Sequence, residues 1–88
     1  MKNVTYELTP QWDSRASFHG KAIVQENDGS WELISYSTKV AVIRGDGTAR
    51  VYDTYSATTL RHIKEFLLQN NFKAENKKQI LADYGAIG

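Results

Sequence analysis

The sequence contains no cysteine, which excludes disulfides, thiolate nucleophiles and the usual structural zinc sites. A secreted chain of this size would often need such staples, so a cytoplasmic location is expected. Long apolar runs are also missing. No stretch approaches the 18 or so residues that span a bilayer, and Met1 opens a segment of alternating polar residues, so neither a membrane span nor a signal peptide is expected. Excess charge of either sign is absent: 11 basic and 10 acidic residues leave a formal net charge of +1. That is too little to draw the chain to nucleic acid or an anionic membrane by net charge, and it is far from the acidity of a DNA mimic. Proline occurs once, at Pro10, and no Pro-rich linker, low-complexity tract or internal repeat divides the sequence. Residues 1–88 therefore read as a single domain.

What remains is a globular composition, 41% hydrophobic, with two Trp, five Tyr and three Phe. Ordering the chain opposes folding by about 1.5 kcal/mol per residue. Most large apolar side chains must then be buried, and few can be spared to line a ligand cavity.

Val4, Tyr6 and Leu8 alternate with polar residues, which predicts a half-buried strand ending at Pro10. Gln11 to Gly20 has no clean period and reads as an irregular connection. Strands are predicted over 21–26, 31–36, 39–44 and 48–52, separated by the turn sequences Asn27-Asp28-Gly29-Ser30, Ser37-Thr38 and Gly45-Asp46-Gly47. Ser56 is a candidate N-cap for a helix with its apolar stripe at Leu60, Ile63 and Leu67. Phe66 and Leu68 widen that arc beyond what one sheet contact needs. A second short helix, capped by Asn76 with Gln79 and stopped at Gly85, is expected to cover the flank with Ile80, Leu81 and Tyr84. The fold class is α+β: an antiparallel meander of four or five strands, one main helix and a short C-terminal helix packed on the sheet.

Asp13, Ser14 or Ser17, and His19 supply the residue types of a hydrolytic triad within one loop, but no nucleophile-elbow pattern accompanies them. Loop capping, with Trp12 and Phe18 packing, is the simpler reading. No Walker loop, H-E-x-x-H or G-x-G-x-x-G occurs. His62 and Glu65 at i, i+3 supply too few ligands for a metal, and no cofactor or catalytic residue is expected. With Gln69 they are predicted to share an exposed face opposite the core stripe, with Arg61 and Glu65 as an i, i+4 ion pair.

A resemblance is carried by the run Tyr55 to Leu67, followed by Gln69 and Phe72, and by the segments Ser35 to Ala41 and Ser17 to Ala22. These stretches resemble a family of small proteins of unknown function encoded by phages and mobile elements of Gram-positive bacteria, and the similarity spans most of the chain. Where the family pattern leads one to expect Gly at the end of the main helix, this sequence has Asn71, which also adopts the left-handed conformation. The resemblance implies a viral or mobile-element origin in a bacterial host cell and carries no established activity.

Small proteins of that origin often occupy a site on a host protein. The expected function is a non-enzymatic accessory protein that binds one, such as an anti-CRISPR inhibitor acting on a defence nuclease, as a monomer or homodimer. The candidate patch combines Trp12, Arg15, Phe18 and His19 with His62, Glu65 and Gln69. The alternative is nucleic-acid binding, with Trp31, Tyr36, Tyr52 and Tyr55 stacking on bases and Lys39, Arg44 and Arg50 meeting phosphates.

Overall fold

The computed structural model describes residues 4–13, 17–52 and 56–85. The expected α+β architecture is present: β1 (Thr5–Glu7), β2 (Ala22–Asn27), β3 (Ser30–Ser35), β4 (Thr38–Ile43) and β5 (Ala49–Val51) precede α1 (Ala57–Gln69) and α2 (Lys77–Tyr84). Each strand pairs antiparallel with its sequence neighbour, so the sheet order is β1-β2-β3-β4-β5.

The hairpin turns follow from backbone chemistry. Asp28 (φ 53°) and Gly29 (φ 84°) both take positive φ, as a two-residue turn matched to strand twist requires. The β3–β4 turn does the same with Tyr36 (φ 50°) and Ser37 (φ 70°), one residue earlier than the Ser37-Thr38 turn predicted. Tyrosine is a poor turn residue, so its ring gave no sign of this role. In the β4–β5 turn, Asp46 Oδ1 accepts from Thr48 N at 3.0 Å and Thr48 Oγ1 at 2.6 Å. Between the pairs Leu33–Ala41 and Ile34–Lys39, Val40 is an extra residue, and this bulge lets Val40 and Ala41 both be buried.

Helix α1 lies principally over β3 and buries Ile63, Phe66 and Leu67 completely. Ser56 Oγ accepts from Thr59 N at 3.1 Å, as expected of its cap, and Asn71 (φ 67°) stops the helix. Helix α2 starts at Asn76, whose Oδ1 accepts from Gln79 N at 2.8 Å. Its main contact is with β5, not the flank of α1 as predicted, and Gly85 continues onto that strand through a parallel bridge to Val51. Gly85 has an ordinary negative φ; glycine is needed there because a Cβ would collide with the Leu81 carbonyl. Strand β1 also departs from expectation, since of its apolar alternation only Leu8 is buried while Val4 and Tyr6 are exposed. Among the described residues β1 pairs only with β2, at the sheet edge, and Tyr6 rests edge-on against Trp31 with 6.2 Å between ring centroids.

On the opposite sheet face, Glu32 accepts from Gln25 Nε2 at 2.8 Å and pairs with Lys39 Nζ at 3.4 Å. The Gln25 hydrogen bond, reinforced by the Lys39 charge, outweighs burial and lowers the Glu32 pKa below its ordinary 4.5. A carboxylate with a depressed folded pKa adds stability above its unfolded pKa and loses it as pH falls through the folded value. The stability difference between the parent and Glu32→Gln should therefore be fully present at pH 6 and shrink below about pH 4.5. Thermal melts of both proteins from pH 6 to pH 3 check this, and a constant difference across the series would contradict it.

Candidate partner-binding surface

Helix α1 is rolled away from the centre of its own apolar arc. At about 100° per residue, Leu60 and Leu68 lie on one flank and His62 and Glu65 on the other. The structure leaves both leucines half-buried and buries His62 and Glu65 to 1% exposure. The prediction of an exposed His62–Glu65–Gln69 face is thus corrected. Polar partners outweigh the hydrophobic stripe here, because a buried charge or ring nitrogen is tolerated when it is hydrogen-bonded.

Glu65 illustrates this. Its Oε1 accepts from the backbone N–H groups of Trp12 at 2.9 Å and Asp13 at 3.1 Å, and its Oε2 accepts from Gln69 Nε2. Gln69 Nε2 also donates to Thr9 O at 2.8 Å. Arg61 leaves Glu65, its predicted i, i+4 partner, and pairs with Asp13 at 2.9 and 3.1 Å. A little over two turns of helix, from Arg61 to Gln69, therefore hold the Thr9–Asp13 segment by five donor–acceptor contacts, carrying Trp12 on its outer side with 67% of its surface exposed.

His62 forms a second buried cluster. Ser35 Oγ lies in hydrogen-bonding contact with His62 Nδ1 at 2.9 Å and with Thr59 Oγ1 at 3.1 Å, while Phe18 packs edge-on against the imidazole at 4.5 Å. Ser35 and His62 are 2% and 1% exposed, so this Ser–His pair joins β3 to α1 and presents no open nucleophile.

Of the other expected patch residues, Phe18 is buried in the core and His19 is exposed with φ 55°. Ser17 Oγ accepts from His19 N at 2.9 Å, a loop-capping contact, and Asp13 is taken by Arg61, so the paper triad does not assemble from Asp13, Ser17 and His19. Ser14 and Arg15 lie outside the described residues. Among the described residues no group of three or more His, Asp or Glu is placed to hold a metal, and no helix is long and apolar enough to cross a membrane.

The residues chosen for nucleic acid do not share one platform. Trp31 lies half-buried against the core and Tyr6, whereas Tyr36 sits exposed in the β3–β4 turn. Lys39 stands 5.9 Å from the Tyr52 ring centroid, and Arg44 and Arg50 are exposed. Tyr55 lies outside the described residues.

Because α2 turns to β5, the flank of α1 that it was predicted to cover stays open. A groove of about 430 Å³ lies there, lined by Trp12 and by residues of α1 that include Leu60, Leu68, Arg61 and Lys64, with Ala74. Sequence reading found Trp12 and Glu65 but missed Lys64 and the two leucines as surface. The excess width of the apolar arc was the available signal.

Comparison with known proteins returns no matching curated protein and no matching solved structure. A family model does match, over residues 6–82, which covers every described element except the first residue of β1 and the last two of α2. The chain belongs to DUF8033, a family of unknown function.

Proposed function

We propose that this protein is a non-enzymatic binding module that docks on a host protein through the Trp12 surface. The supporting observation is a two-thirds-exposed tryptophan on a backbone fastened by a buried carboxylate. A large aromatic held in place before contact loses little conformational freedom on binding, which is what makes tryptophan an effective interface anchor. The expected patch contracts accordingly. Trp12 makes contact, Glu65 and Gln69 position it, and His62 and Phe18 support the fold.

The segments that resemble mobile-element proteins favour a phage or mobile-element origin in Gram-positive bacteria, action in the host cytoplasm, and a defence protein such as a CRISPR nuclease as target. The protein would then act by occupancy, as an anti-defence inhibitor.

Trp12→Ala should change unfolding free energy by less than about 0.5 kcal/mol, because the side chain is mostly solvated, and yet abolish capture of the target from host lysate. His62→Ala serves as the contrast, losing about 1–3 kcal/mol of stability as the buried Ser35 hydroxyl gives up one of its two partners and keeps only Thr59. Urea titration and quantitative mass spectrometry of captured proteins read both effects. Unchanged capture by Trp12→Ala would refute the assignment. Tight heparin retention well above physiological salt would favour nucleic acid instead.

A further inference from the structure

We infer that the groove beside Trp12 accepts an acidic, apolar protein segment, one presenting a leucine- or phenylalanine-like side chain next to a carboxylate. This rests on the protein-binding reading above. The groove carries four charged side chains, Asp13, Arg61, Lys64 and Glu65, which formally cancel. Their commitments do not. Asp13 is held by Arg61 at 2.9 Å, and Glu65 is turned inward, 1% exposed and bound to the Trp12 and Asp13 amides. Lys64 pairs with no acid among the described residues, and the Arg61 side chain remains 42% exposed despite its partner. Both acids are therefore spent inside the protein, while the Lys64 charge on the groove lining has no acidic partner among the described residues.

The rest of the lining is apolar, formed by Ala57, Leu60, Leu68 and Ala74 together with Trp12. Burial of one large side chain against it would supply affinity, and the lysine would select a neighbouring carboxylate and reject a basic segment. Nucleic acid fits less well, since a phosphate chain would meet few cations and gain nothing from the leucines.

The test uses the full chain carrying Trp31→Phe, so that Trp12 alone emits. The probes are a capped peptide alternating leucine and phenylalanine with aspartate, its counterpart with lysine for aspartate, and a single-stranded oligothymidine. The aspartate peptide should shift Trp12 emission to shorter wavelength in a saturable way, and the lysine peptide should bind at least about tenfold more weakly. Lys64→Glu should weaken the aspartate peptide about tenfold and improve the lysine peptide. Chemical-shift changes at the Leu60 and Leu68 methyls of the unsubstituted protein give the same reading if Trp31→Phe disturbs the fold.

No saturable response to the aspartate peptide at millimolar concentration, an equal response to the lysine peptide, or a response to oligothymidine alone would overturn the inference. If Trp12→Ala still abolishes target capture in that case, the protein-binding reading stands and only the acidic-segment inference falls. If capture is also unaffected, both fall.

Discussion

Replacing Glu65 with alanine should cost about 2–3 kcal/mol and release the loop that carries Trp12. The carboxylate is 1% exposed and accepts from two backbone N–H groups and from Gln69. Hydrogen bonds to a charged group contribute roughly 1.5–3 kcal/mol each, and orphaned buried donors add a desolvation penalty. The loop can swing into water and recover part of that loss, which keeps the total near the value of a single strong bond. Glu65→Gln keeps one acceptor oxygen and should lose about half as much. Urea unfolding measures the cost, and hydrogen exchange at the Trp12 and Asp13 amides, accelerated in Glu65→Ala, locates it. Full retention of stability and of amide protection in Glu65→Ala would show that the loop is held by something else.

The adjacent position gives a global effect where Glu65 gives a local one. Phe66 is fully buried between α1 and the sheet and belongs to the central apolar cluster. Phe66→Ala should cost about 3–5 kcal/mol through lost transfer free energy and the cavity left behind. A domain of 88 residues has a total stability of roughly 4–13 kcal/mol. The substitution therefore removes a large fraction of it and should lower the melting temperature by upwards of about 12 °C. Hydrogen exchange should accelerate throughout the sheet, in contrast to the confined change in Glu65→Ala. A calorimetric shift of only a few degrees would mean that the core closes around the missing ring.

The contrast also marks what the sequence could reveal. Asn27-Asp28-Gly29-Ser30 and Gly45-Asp46-Gly47 announce their turns because Gly, Asn and Asp tolerate positive φ, and the change of period at Ser56 announces α1. The roll of α1 was hidden because its causes are remote. Ser35 is 27 residues from His62, and Trp12 is 53 residues from Glu65. A periodicity argument sees the apolar stripe and cannot see the backbone amides that arrive to satisfy a carboxylate. The destination of α2 was hidden for a related reason: its apolar residues are few, and its end is fixed by the Gly85–Val51 bridge. Of the candidate surface, the sequence pointed to Trp12 and to Glu65, the latter as an exposed residue where the structure turns it inward.

A photocrosslinking amino acid at position 12 tests the binding account most directly, with the same substitution at Asp28, in the β2–β3 turn, as the control. After irradiation in host lysate, the account predicts one dominant protein adduct from position 12, absent from position 28 and displaced by excess unlabelled protein. Adducts that form equally from both positions, or nucleic acid alone crosslinked at position 12, would contradict it.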